Sequence, residues 1–301
     1  MILAASSASL MMATRTRSFT PTLRDREIVA AVATHRALTT DQVSLLFWEK
    51  PTASSRCRLR LRLLAEHGYL KRAEQPVALS EGRRPLVYFL TAQGRDLAAE
   101  ALQVPASQVD WKPSYNSVKW PFLEHLLATN DLRVRMEVAA PKVGLRILEW
   151  VDDLSLASTS IRDQIVVPAR GGGTQQTTVG PDGYVSLLAP DGKTRHRAFI
   201  EADRATVPLT RWKNKVWKYQ HYFRSKAFRR RYGATKPFRV LTVTTSQERL
   251  QNMKQATEAQ GATTWFWFST YAALTDPETV LFAPTWFMAG ADEPVCFPYL
   301  P

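Results

Sequence analysis

In the segment LRDREIVAAVATHRALTTDQVSLLF, Ile28, Val29, Val32 and Ala33 recur at the spacing of one helix face, which predicts a helix from about Leu23 to Thr34. Thr39 or Thr40 is placed to cap a second, short helix carrying Val43, Leu45, Leu46 and Phe47, which Pro51 ends. Ser54 or Ser55 opens a third, SSRCRLRLRLLAEHG, whose buried stripe is expected to be Cys57, Leu61, Leu64 and Gly68, with Gly68 at the C-terminus. Two strand-like runs follow in YLKRAEQPVALSEGRRPLVYFLT, around a turn rich in Glu, Gly and Arg, and a last helix spans Ala92 to about Leu102. Three helices and a β-hairpin in that order predict a winged helix-turn-helix over residues 20–104, preceded by a disordered tail over residues 1–19.

Pro105 and Pro113 bracket a polar stretch, and residues 105–117 are expected to link two domains. Beyond it FLEHLLATNDLRVRMEVAA is an amphipathic helix and LRILEWV a strand, followed by an irregular loop with Gly171, Gly172 and Gly173. GYVSLLA and HRAFIEA read as strands joined by the turn Pro190-Asp191-Gly192-Lys193. A long helix from about Leu209 to Arg231, the strand FRVLTVTT, the helix SQERLQNMKQATEAQ and the strand TWFWFST complete the pattern, with no assignment after Asp276. The order describes an α/β (α+β) domain built on a mixed sheet over residues 118–301.

Charge changes this picture most. The chain of 301 residues carries a net charge of +13, a field that attracts polyanions. The third helix holds Arg56, Arg58, Arg60 and Arg62 in one run, with Ser54, Ser55 and Arg58 in the first turns, where a recognition helix reaches base edges. Arg83 and Arg84 at the wing tip are expected over flanking phosphate. A winged helix used only for protein contacts would show the same run as a solvated face. Leu59 and Leu63 lie off the buried stripe, which suggests a homodimer contact. From Arg204 to Gln247 there are twelve Lys and Arg and no Asp or Glu. Trp212, Val216, Tyr219 and Phe223 are expected to face the sheet, leaving Lys213, Lys215, Lys218, Arg224 and Lys226 largely outside that stripe. A solvated face normally mixes signs, so this sameness points to double-stranded DNA as counterion.

Two cysteines, Cys57 and Cys296, give neither a disulfide framework nor a metal knuckle, which suits a cytoplasmic protein. No apolar run approaches the roughly 20 residues of a membrane span. The first dozen residues lack the positive start of a signal peptide, and Met11 and Met12 are alternative starts. No GxxxxGK[ST] loop occurs, and the five histidines form no HxH cluster.

Three carboxylates adjoin the basic helix. Asp182 opens one strand in PDGYV, and Glu201 and Asp203 close the next in FIEAD, two residues apart and so on one face. A hairpin brings Asp182 beside them, and clustered carboxylates suit Mg²⁺ or Mn²⁺, a cation able to activate water at a phosphodiester. Simple pairing with Arg204, Arg211 or the basic helix accounts for them equally well. PDG…FIEADRAT…RWKNKVWKYQHYF resembles the core of the replication-relaxation family of plasmids and other mobile elements, over roughly residues 20–270; FLEHLLATND, with His125 and Asn130, is similar too. The C-terminal half of that family is similar to the PD-(D/E)xK, restriction-endonuclease-like fold. The resemblance implies Asp182 as the acid of the PD element and Glu201 as that of the second element, both metal ligands. Asp203 stands where the superfamily has lysine, and Lys213 or Lys215 is the candidate substitute. The implied function is DNA binding in plasmid replication or relaxation, as a metal-dependent nicking nuclease. The alternatives are a non-enzymatic regulator on a degenerate nuclease fold, or a module recruiting replication or transfer proteins.

Overall fold

The computed structural model describes residues 19–48, 55–76, 82, 84–153, 163–169, 171–233 and 238–298. The fold is mixed α/β, an N-terminal helical unit followed by a sheet unit. Helix α1 (Leu23–His35) starts at a reciprocal cap, in which Asp25 N–H donates to Thr22 Oγ1 at 3.3 Å and Thr22 N–H to Asp25 at 2.7 Å. Thr39, the last residue of strand β1 (Ala37–Thr39) and the cap of helix α2 (Thr40–Phe47), makes the same kind of box with Gln42. Helix α3 (Ser55–Glu66), strands β2 (Leu70–Ala73) and β3 (Val87–Leu90), and helix α4 (Ala92–Leu102) follow. The three strands pair antiparallel in the order β1-β3-β2 around Ile28, Val32, Leu38, Val43, Cys57, Leu61 and Leu64. Gly68, expected in the buried stripe, is exposed at φ +77°, so the stripe ends at Leu64 and the glycine serves the turn.

Gly94 sits where α4 crosses the chain at Tyr69, and a Cβ there would lie 2.0 Å from the Tyr69 carbonyl oxygen. Backbone cannot yield as a flexible side chain can. Gly94→Ala is therefore expected to cost about 3 kcal/mol, the upper end of ordinary overpacking, read as a lowered denaturant midpoint.

The stretch 105–117 packs against the N-terminal unit: Val109 is buried, and the Trp111 indole N–H and Asn116 Nδ2 both donate to Leu90 O, at 3.0 and 2.7 Å. Helix α5 (Trp120–Ala139) serves both units. Leu123 and Leu127 pack on Ala37, Val87 and Phe89 of the first, while Leu132, Met136 and Ala139 join the core of the second.

The second unit is a seven-stranded sheet in the order β12-β11-β10-β9-β8-β7-β4. Its strands are β4 (Arg146–Asp152), β7 (Gly183–Leu188), β8 (Arg195–Ala202), β9 (Arg239–Thr244), β10 (Phe266–Thr270), β11 (Trp286–Met288) and β12 (Pro294–Val295). Strands β8, β9 and β10 run parallel, with antiparallel partners on both flanks. Helices α6 (Leu209–Arg224), α7 (Ala227–Tyr232) and α8 (Gln247–Glu258) contribute to one core; α5 and α9 (Pro277–Leu281) contribute to the other.

The expected helix from Leu209 to Arg231 is two helices, because Lys226 adopts φ +58° and breaks the ladder after Ser225. Tyr222 takes the buried place expected of Phe223, whose ring packs on Trp265 at 4.6 Å while staying exposed. Residues read as an irregular loop contain the hairpin β5 (Gln164–Pro168) and β6 (Thr174–Thr178), and the unassigned tail supplies α9, β11 and β12. Among the described residues, no helix is long and apolar enough to cross a membrane.

Candidate functional site

Glu201 lies near the end of β8, and Gly183 of β7 pairs with Ile200. Antiparallel register then sets Asp182 opposite Glu201, and the Asp182 N–H bond to Ile200 O at 3.0 Å continues the ladder to that point. The hairpin thus brings the two carboxylates together, and α6 crosses above them. Its Lys215 ammonium contacts Glu201 Oε2 directly and lies 3.8 Å from Asp182 Oδ1. Tyr219, one turn further on the same helix face, donates its hydroxyl to Glu201 Oε1 at 2.5 Å. On the other side, His125 Nε2 of α5 meets Asp182 Oδ1 at 3.1 Å, while Ala202 N–H donates to Asp182 Oδ2 at 2.8 Å. His125, Asp182, Glu201, Ala202 and Lys215 line a cleft of about 590 Å³ whose wall also carries Asp203, Arg204, Arg211 and Lys218, with Tyr219 buried behind it.

Asp203 lines the same cleft, but its carboxylate is engaged elsewhere. Strand β8 ends at Ala202, and the Asp203 carboxylate accepts from Thr244 Oγ1 at 2.6 Å and from Arg249 at 3.0 and 3.1 Å, so a strong cation already holds it. Lys213 is exposed and outside the cleft wall, which leaves Lys215 as the lysine at the carboxylates. Sequence reasoning missed Tyr219, assigned only to the core, and His125, named only through the family-like helix. The signals were present: Lys215 and Tyr219 stand at i and i+4, and His125 is the one imidazole on α5.

Burial drives the Glu201 carboxyl up to about 7, against the pull of the Lys215 ammonium. Burial opposes ionisation of Asp182 too, but Lys215, His125 and the Ala202 N–H together hold it below the usual carboxylate range. His125 is raised by its hydrogen bond to Asp182. Lys215 is raised above the usual lysine range by Glu201 and Asp182, although burial works the other way. The site at neutral pH therefore holds an ammonium, an ionised aspartate and a glutamic acid poised to titrate.

Two oxygens face one cationic position, and Mg²⁺ commonly takes only one or two carboxylates from protein, completing its shell with water and phosphate. Asp182 and Glu201 fit that requirement as a donor set. Among the described residues no group of three or more His, Cys, Asp or Glu stands at metal-binding distance.

The N-terminal candidates divide. Ser54 and Arg83 lie outside the described residues, whereas Ser55, Arg56, Arg58 and Arg62 are exposed on α3. Arg60 is not available to a ligand: its guanidinium grips the fully buried Asp25 and lies 5.4 Å from the centre of the Phe19 ring, so it ties α3 to α1. A second cleft, of about 530 Å³, is lined by Arg58, Arg62, Arg84 and Arg72 of β2, the last unsuspected from sequence. Lys218 lines the carboxylate cleft, while Arg224 is exposed at the end of α6, away from its wall. Leu59 is 44% exposed.

A family model described as replication-relaxation matches residues 29–237, a span that takes in both clefts. No curated protein and no solved structure matches the chain.

Proposed function

The chain belongs to the replication-relaxation family, and from that premise we propose that it binds plasmid or mobile-element DNA and nicks it with Mg²⁺ or Mn²⁺. The observation that carries this reading is the convergence of Asp182, Glu201 and Lys215 in a cleft walled by Arg204, Arg211 and Lys218. A cation held by Asp182 and Glu201 would polarise the scissile phosphate and lower the pKa of bound water. Lys215, kept protonated by its carboxylate neighbours, acts as a fixed positive charge for the anionic transition state and not as a base. His125 orients Asp182, and Tyr219 orients Glu201. Arg204, Arg211 and Lys218 draw in the backbone, and the arginines of α3 and β2 hold flanking duplex.

A second reading has its own observation. Lys215 already compensates both carboxylates, so the site is stable as a closed ion-pair cluster on a fold that grips DNA without cutting it.

Mn²⁺ binding, followed by calorimetry across pH, tests the metal centre. Below about 7 the Glu201 carboxyl is protonated and a poor ligand; above it the carboxylate forms. Because burial raises this group in the folded state, its contribution to stability is fully present below the ordinary glutamate range and is lost as pH rises through about 7. A bound cation offsets that loss. Binding is therefore expected to appear as pH rises through about 7. The Tyr219 hydroxyl lowers the Glu201 pKa, so Tyr219→Phe should move this transition to higher pH, at a stability cost of about 1 kcal/mol for the lost hydrogen bond. No heat of binding above this range in the wild type would remove the metal from the proposal.

A further inference from the structure

The arginine cleft of α3 and the carboxylate cleft meet at a single side chain. Glu124 of α5 accepts from Arg84, on the rim of the first, at 3.0 Å, and from Arg204, on the rim of the second. The next residue on the helix is His125, bonded to Asp182. Two guanidinium groups sharing one carboxylate are held within about 8 Å of each other, given hydrogen bonds of roughly 3 Å. Glu124 is neutralised by both and adds no net repulsion toward a phosphate backbone crossing the junction.

Helix α5 is fixed to the N-terminal unit along its length. Gln42 Nε2 donates to Leu127 O at 2.9 Å and to Asp131 at 2.7 Å, and Asn130 Nδ2 donates to His35 O at 3.0 Å and Ala37 O at 2.8 Å. Arg133 reaches Thr34 O at 3.2 Å, and Leu123 and Leu127 are buried against β1 and β3. Swinging the clefts apart would strand buried carbonyls and open an apolar interface, each costly on its own.

We propose that the chain holds one continuous duplex in both clefts at once and aligns the carboxylate cleft at a fixed offset, within one helical turn, from the sequence contacted by α3. This rests on the DNA-binding reading above and adds the register between reading and cutting. A duplex rises about 3.4 Å per base pair and turns in about 34–36 Å, so rims held about 8 Å apart cannot address sites several turns distant. A flexible tether would give a spread of positions; a frame fastened through α5 gives one.

The test places a chemical cleaver beside the carboxylate cleft, next to its wall residues Trp212 and Asn214. Lys213 is exposed, two residues before Lys215, and accepts a cysteine carrying an iron chelate in a Lys213→Cys, Cys296→Ser chain. Cys57 does not compete, because burial pushes its thiol up to about 12. The probe is a duplex several turns long, selected from a random pool by the wild-type protein. We expect one cluster of cuts on each strand, at a constant offset within about 10 base pairs of the stretch that α3 protects. Cuts scattered along the duplex, a cluster beyond one turn, or no cuts on a duplex that is protected would each overturn the inference. The chelate, and not the carboxylates, breaks the strand. Focused cuts from a protein with no nicking of its own in Mn²⁺ would therefore keep the rigid grip and remove the nuclease reading alone.

Discussion

Lys215→Met is expected to slow metal-dependent nicking by about 10²–10³-fold, the usual effect of removing one preorganised charge from a developing anion. The ammonium is the group within reach of both Glu201 and Asp182, and Met keeps its length without its charge. Two consequences follow from the same geometry. With Lys215 gone, only the Tyr219 hydroxyl on α6 still offsets the burial that raises Glu201, so the pH transition for metal binding should rise further. Affinity for duplex DNA should change little, because Arg204, Arg211 and Lys218 remain. Initial rates on supercoiled plasmid, set beside gel-shift affinities, separate these effects. A rate unchanged in Lys215→Met would mean that the lysine is only a counterion.

Phe238→Ala should have the largest effect on stability, about 3–5 kcal/mol. The Phe238 ring is fully buried, with the rings of Phe199, Tyr219, Tyr222, Phe223, Phe228 and Trp265 at centroid distances from 4.9 to 6.3 Å. Few sites could collapse less readily, since neighbouring aromatic planes cannot bend into the void. For a domain of this size the loss corresponds to a melting temperature lower by roughly 6–20 °C, at about 2–4 °C per kcal/mol. Calorimetry of both chains measures it. Phe238→Leu, which keeps most of the volume, should recover most of the loss.

Elements with a strong period were legible in the sequence. The Ile28, Val29, Val32 set and the Cys57, Leu61, Leu64 stripe each face the core, and the strand-like runs GYVSLLA and HRAFIEA around the turn Pro190-Asp191-Gly192-Lys193 gave the hairpin that carries the site. Strands of two or three residues, such as β11 and β12, hold too few positions to show alternation, and hairpin β5–β6 is polar on much of its length. The break at Lys226 left no mark, because a lysine at positive φ is imposed by packing and not by residue type. Within the site, Asp182 and Glu201 follow from strand register, whereas the fate of Asp203 depended on Arg249, which arrives from a helix 46 positions away. Arg60 looked like its neighbours on α3. Only the cap that buries Asp25 reveals it as a structural cation.

Conversion of supercoiled plasmid to open circle in Mn²⁺ decides whether Asp182 and Glu201 hold a working metal, with wild-type protein compared against an Asp182→Asn, Glu201→Gln chain. Both substitutions keep the shape of the site while removing the charges a cation needs, and neither residue belongs to the arginine cleft of α3. Open circle is expected from the wild type only in the presence of the metal, and none from the double variant at protein concentrations where both bind the plasmid equally. Equal nicking by the two chains, or a wild type that binds the plasmid and leaves it supercoiled, would contradict that expectation.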